Sequence, residues 1–138
     1  MNRFQAMKPI NSSLLAVLMA IAFTCGYSKT TPPVAGTMPA IAQLNPDSAT
    51  AGGEAFTLAV NGSHFSSKAV VNWNGVAQTA NTTYVSGSQL MVTVPASAIA
   101  TSGTVAVTVT NPATPGTGIY GTGATLAETS TMMDFTIN

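Results

Sequence analysis

The chain has 138 residues, of which only 6% are charged, and this length corresponds to a single domain. The residues after Cys25 carry two positive and four negative side chains, a formal net charge of −2. A chain without a basic surface has no field that attracts phosphate groups, which argues against nucleic acid as a partner.

The first 24 residues have the pattern of a signal peptide. Arg3 and Lys8 precede an apolar run from residue 14 to residue 23. As a helix this run would extend about 15 Å, half of the ~30 Å hydrocarbon core of a bilayer. It is too short to span a membrane and is typical of the apolar part of an export signal, so we expect the protein to leave the cytoplasm.

Cys25, the only cysteine, lies where the apolar run ends. Its position resembles that of the lipid-modified cysteine of bacterial lipoproteins, and this resemblance implies a protein anchored at the cell envelope or outer surface by lipid on Cys25. The chain departs from the lipoprotein pattern in having Thr24 directly before the cysteine. The alternative is signal-peptidase cleavage after Ala22, which would release a secreted protein with an unpaired thiol.

Residues 25 to 38 are predicted to form a flexible tether, because they contain paired prolines and no apolar period. Beyond them, seven short runs with alternating apolar residues are separated by turn signals, which predicts an all-β sandwich. Each strand should bury one face and expose the other. The predicted inward sets are Phe56, Leu58 and Val60; Leu90, Val92 and Val94; Val105, Val107 and Val109; and Met133, Phe135 and Ile137. After Pro95 we expect one short turn of helix.

Several motifs, taken in order, resemble the IPT/TIG domain, an immunoglobulin-like β-sandwich. They are the strand that follows Pro39, the N-G-x-x-F of residues 61 to 65, the Asn74-Gly75 hairpin, the L-x-V-x-V-P of residues 90 to 95 and the final F-T-I. The resemblance covers residues 39 to 138 and implies an antiparallel sandwich of about seven strands without catalytic function. The chain departs from the family in a long insertion, residues 113 to 131, between the last two strands.

Trp73, the only tryptophan, has two interpretations: it fills the core, or it stacks on a ligand. If Asn74 and Gly75 form a two-residue type I′ turn, Trp73 pairs with Val76. One face of the hairpin is then the more apolar, and it holds Ala69, Val71, Trp73, Val76, Gln78 and Ala80. This pattern predicts that Trp73 points towards the partner sheet.

The sequence contains no pattern of catalytic or metal-binding residues. His64 is the only histidine, and no cysteine or second histidine accompanies it, so we expect an exposed loop residue. The carboxylates have no spacing that pairs an acid with a base; they are Asp47, Glu54, Glu128 and Asp134. The G-x-G-x-x-G of residues 116 to 121 does not join a strand to a helix and is interpreted as a loop. We therefore expect neither enzymatic activity nor a cofactor.

Together these features predict a non-catalytic binding or structural module that contacts an envelope or surface protein, or a polysaccharide. The alternative is a dedicated carbohydrate-binding module, which needs exposed aromatic side chains in a row. The candidates for such a row are Trp73, Tyr84 and Tyr120. The insertion is a candidate contact surface, because long loops at the end of a sandwich commonly carry binding residues; its apolar residues would otherwise pack back over the sheet.

Overall fold

The computed structural model describes residues 31–117 and 121–138. The predicted signal peptide, Cys25 and the tether as far as residue 30 lie outside the described residues, and so does Tyr120. Within the described part of the chain, no helix has the length and apolar character needed to cross a membrane.

Strand is the main secondary structure of the described residues and helix is almost absent, as predicted. Its elements are β1 (Ala40–Asn45), β2 (Ser48–Ala49), β3 (Phe56–Ser63), β4 (Val70–Trp73), β5 (Val76–Ala77), β6 (Thr82–Ser86), β7 (Gln89–Val94), a 3₁₀ helix (Ala96–Ile99), β8 (Gly103–Asn111), β9 (Glu128–Thr129) and β10 (Met133–Ile137). The seven predicted runs correspond to β1, β3, β4, β5, β7, β8 and β10. The 3₁₀ helix is the helical turn expected after Pro95.

The strands form two sheets that enclose one core. The first sheet has the order β1-β3-β7-β6, and the second has the order β2-β10-β8-β4-β5, with β9 paired to β8. All pairs are antiparallel except the short pair of β2 with β10. The all-β, immunoglobulin-like sandwich predicted from the sequence is confirmed.

The predicted inward faces supply this core. Of the twelve side chains named above, ten are buried, and Phe56 and Met133 are partly buried against them. The other members of the cluster are Leu44, Phe65, Ala69, Val71, Trp73 and Ile99. Each fully buried aliphatic or aromatic side chain contributes about 1.5–3 kcal/mol relative to its exposed state.

Trp73 lies in the middle of this core. It pairs with Val76 as predicted, and Asn74 and Gly75 have φ values of 49° and 78°, both positive as a type I′ turn requires. The Trp73 side chain is only 6% exposed, and its ring centroid lies 5.0 Å from that of Phe135. Phe135 in turn stacks on Phe56 of the first sheet at 5.6 Å. The core interpretation of Trp73 is therefore confirmed.

The prediction of which side chains of this hairpin point inward is wrong for the residues that follow its turn. Val76 is 62% exposed, and Ala80 is exposed as well. The reason is that β5 is a two-residue edge strand, after which the backbone amides of Asn81 and Thr82 both donate to the carbonyl of Gln78. The chain turns there and crosses to the first sheet, so the alternation of faces that began in β4 does not continue.

Replacing Trp73 with alanine should lower the free energy of unfolding by about 3–5 kcal/mol, because the change removes an aromatic side chain from a closed core. Chemical denaturation followed by circular dichroism measures this loss. Val76→Ala, a change at an exposed position one turn away, should stay within about 0.5 kcal/mol of wild type. An unchanged melting temperature for Trp73→Ala would contradict the assigned core.

Candidate functional site

Residues 34 to 38, here called the strap, run beside the returning arm of the insertion. The Val34 amide donates to the Ala124 carbonyl at 3.1 Å, and the Leu126 amide donates to the Val34 carbonyl at 3.0 Å. Thr125 bridges Val34 on one side and Thr114 on the other. The sequence predicts a flexible tether as far as residue 38, whereas the structure holds its last residues against the domain. The insertion supplies the backbone groups with which the strap pairs. The composition of the tether itself gives no sign of this pairing.

Gly36 allows the strap to lie close to the insertion. A Cβ atom at this position would be 2.6 Å from the carbonyl oxygen of Leu126 and 3.1 Å from Cγ of Glu128. Contacts this short force a shift of the backbone, so a residue without a side chain is required here.

The N-G-x-x-F motif closes the same end of the sandwich. A Cβ atom at Gly62 would collide with the carbonyl oxygen of Ala40 in β1 and lie 2.6 Å from Cζ of Phe65. The absence of that atom lets the Phe65 ring, which is 4% exposed, cover the backbone of β3. The glycine and the phenylalanine of the motif therefore form one packing unit.

Asn111, the last residue of β8, joins three segments at this end. Its Oδ1 accepts a hydrogen bond from the Ser66 amide at 3.0 Å, and its Nδ2 donates to the carbonyls of Thr37 at 2.9 Å and His64 at 2.8 Å. The Asn111 residue is 8% exposed, and its three hydrogen bonds are partly buried. One buried amide thus fixes both the strap and the β3–β4 loop to the second sheet.

These segments enclose a groove of about 410 Å³, here called the strap groove. Small-molecule sites commonly have volumes of about 300–1,000 Å³. The walls combine the polar side chains of Thr37, His64 and Thr114 with the apolar side chains of Phe65, Pro112 and Leu126. Thr114, Thr125 and Leu126 of the insertion line this groove, and the use of the insertion as a contact surface stays a prediction.

His64 is exposed, as predicted, and has a positive φ of 60°. The neighbouring Ser66 hydroxyl is buried and has no hydrogen-bond partner among the described residues. The His64 imidazole and the Ser66 hydroxyl are therefore not hydrogen-bonded to each other in this structure. In residues 31–117 and 121–138, no three His, Cys, Asp or Glu side chains lie close enough together to hold a metal ion.

The two aromatic candidates in the described part of the chain, Trp73 and Tyr84, lie on different sheets. Trp73 lines a cleft of about 50 Å³ beside Gln78 and Pro95, whereas Tyr84 is 41% exposed on β6 at the edge of the other sheet. Tyr120 lies outside the described residues, as does Cys25. The groove residues around Asn111 were not predicted as a site, because no local motif connects positions 37, 64 and 111.

Comparison with protein-family models matches the IPT/TIG domain over residues 39–131. The matched range includes the N-G-x-x-F motif, Asn111 and the whole insertion. Searches of curated proteins and of solved structures returned no match.

Asn111→Ala should lower the free energy of unfolding by about 2–4 kcal/mol, because it leaves one amide and two carbonyl groups without their partner. Chemical denaturation measures the loss, and hydrogen exchange should show faster exchange at the amides of Val34 and Ser66. Asn81→Ala is the matched control, since its exposed amide makes one hydrogen bond of 3.2 Å. Unchanged exchange in the strap of Asn111→Ala would contradict the role assigned to this side chain.

Proposed function

The chain belongs to the IPT/TIG domain family, and on that premise we propose that it is an exported, non-catalytic binding module. It is held at the cell envelope by lipid on Cys25 and contacts an envelope protein through the strap groove. Domains of this family are generally non-catalytic immunoglobulin-like modules that take part in protein contacts.

The arrangement around Asn111 is the observation that supports this use of the groove. Three hydrogen bonds of 2.8–3.0 Å from the Asn111 side chain to backbone groups hold the strap and the β3–β4 loop in place. A surface that is already ordered loses less conformational entropy on binding than a mobile loop does. The groove lining combines the apolar residues Phe65, Pro112 and Leu126 with threonines, and protein interfaces also combine apolar and polar groups.

A protein partner is favoured over a polysaccharide because of where the aromatic side chains lie. Carbohydrate recognition of the kind considered above uses the open faces of several aromatic rings. The Trp73 ring packs against Phe135 in the core, whereas Tyr84 is exposed on β6, an edge strand of the other sheet. Neither residue lines the strap groove.

The amino-terminal pattern supports export and anchoring. Cys25 follows the apolar run directly, and Val34, the first paired residue of the strap, comes nine residues later. Those nine residues span at most about 30 Å when fully extended. The proposed anchor would therefore keep the domain close to the membrane surface.

Lipid attachment is tested by growing cells that express the full chain with labelled palmitate. Wild type should incorporate the label and fractionate with membranes, and Cys25→Ala should lose both properties, because Cys25 carries the only thiol in the sequence. Equal labelling of the two chains, or none in wild type, would refute the anchor and leave secretion after Ala22 as the route.

Partner binding is tested by placing a photo-crosslinking amino acid at His64, which lines the groove, and at Val76, which is exposed elsewhere. In intact envelopes the His64 probe should yield a discrete crosslinked protein that the Val76 probe does not yield. Adding Asn111→Ala to the His64 probe should abolish the crosslink, because the groove loses its fixed geometry. An identical product from both probes would show that the groove is not the contact surface.

A further inference from the structure

The chain contains two Asn-Gly sequences, at residues 61–62 and 74–75, and the fold places them in different surroundings. Asparagine is a thermolabile residue, and before glycine the attacking nitrogen is not hindered by a side chain. The glycine nitrogen attacks Cγ of the asparagine and closes a five-membered succinimide ring. The Cγ–Nδ2 bond breaks, and the side-chain amino group leaves as ammonia with the proton of the attacking amide. Water then opens the ring to give aspartate or isoaspartate.

Asn61 and Gly62 lie inside β3, with a paired strand on each side. Asn61 pairs with Gln43 of β1 and with Gln89 of β7, and its Oδ1 accepts a hydrogen bond from Nε2 of Gln89 at 3.0 Å. The Gly62 amide, which would have to attack, donates to the carbonyl of Ser88 at 2.9 Å. Reaction at Asn61 therefore requires a central strand to separate from its neighbours.

Asn74 and Gly75 instead form the exposed turn between β4 and β5. Both residues are exposed, and a Cβ atom added to Gly75 would meet no atom within 4 Å. The Asn74 amide donates to the carbonyl of Ala106 at 2.9 Å, whereas the Gly75 amide donates to no backbone carbonyl in the described part of the chain. The attacking nitrogen of this pair is therefore not occupied by a ladder hydrogen bond.

Ring closure at Asn74 requires the turn to open. The first central residue of a type I′ turn has a ψ of about 30°, and Asn74 must rotate away from this value before the Gly75 nitrogen reaches its Cγ. The strand that follows is β5, which has two exposed residues and lies at the edge of its sheet. Such edges open locally, without unfolding of the domain. The Asn74 pair therefore reaches the reacting geometry at a smaller free-energy cost than the Asn61 pair.

We propose that Asn74 is a site of spontaneous deamidation in the folded protein, and that its isoaspartate product loosens the hairpin that holds Trp73. Aspartate at position 74 retains the turn, because Asp-Gly also forms type I′ turns, and it adds the first charge to residues 69–127. Isoaspartate passes the backbone through its Cβ and lengthens the turn by one atom. The turn then no longer fixes the pairing of Trp73 with Val76. Neither the proposed anchor nor the strap groove takes part in this reaction.

The test compares the two Asn-Gly pairs within one protein. The full chain, purified in mild detergent, is incubated in mildly alkaline buffer, and its peptides are mapped by mass spectrometry at intervals. An isoaspartyl methyltransferase assay identifies the isoaspartate. Conversion at Asn74 should exceed conversion at Asn61 by at least about tenfold, because opening free energies range from nearly zero at an edge to the global value in central strands. In denaturant the two rates should become comparable, since the fold then protects neither pair.

Two variants separate the chemistry of the site from the opening of the turn. Asn74→Gln keeps the amide but would need a six-membered ring, so conversion at this position should be lost. Val76→Gly weakens the pairing of β5 and should raise the rate at Asn74 by up to about fivefold, the factor equivalent to the ~1 kcal/mol range of strand propensities. Both variants should leave the rate at Asn61 unchanged, and circular dichroism verifies that they keep the wild-type fold.

Trp73, the only tryptophan in the chain, reports the structural effect. Once the products are separated by chromatography, the isoaspartate form should emit at longer wavelength, because the buried ring gains contact with water. The aspartate form and the variant Asn74→Asp should both match wild type. Equal conversion of the two pairs in the folded protein, or conversion of neither when both react in denaturant, would overturn the proposed site. Unchanged emission of the isoaspartate form would refute the loosening of the hairpin.

Discussion

The fold depends on the burial of alternate side chains between two sheets. The contact that spans the core runs from Trp73 to Phe135 within the second sheet and from Phe135 to Phe56 across to the first, with centroid distances of 5.0 and 5.6 Å. Aromatic pairs at such distances add about 0.5–1.5 kcal/mol to the effect of burial alone. This packing sets the spacing of the sheets, and the loops at their ends, including the strap groove, take their positions from it.

The strands that form this core were predictable because period-two alternation is a local property. Residues 90–94 and 105–109 show it directly, and both segments are buried on the predicted face. β6 was not predicted, because Thr82, Thr83 and Ser86 give it a polar composition and its apolar residues, Tyr84 and Val85, are adjacent. Pairing with β7 makes this segment a strand, and no pattern within the segment itself encodes that partner. β2 and β9, of two residues each, are likewise defined by their neighbours.

The site was less predictable than the fold, since its geometry comes from distant residues. The side chain of Asn111 binds Thr37 across 74 positions in sequence and His64 across 47. Asparagine is common in turns and loops. An asparagine where a strand ends therefore does not indicate that its side chain joins distant segments. The insertion was recognisable as a departure from the family, but its pairing with Val34 depends on the strap passing within reach. A single sequence indicates that a loop is long, and not which strand edge it meets.

Residues 69 to 127 contain no charged side chain, so neutral hydrogen bonds provide the specificity that ion pairs give to other domains. On the outer face of the second sheet, Asn72 donates to Thr108 and Thr110, and the Thr110 and Thr129 hydroxyls are 2.8 Å apart. Hydrogen bonds of this kind require correct geometry and are insensitive to ionic strength. A partner of such a surface is selected by shape and by matched donors and acceptors, and long-range electrostatic steering contributes little to its rate of association.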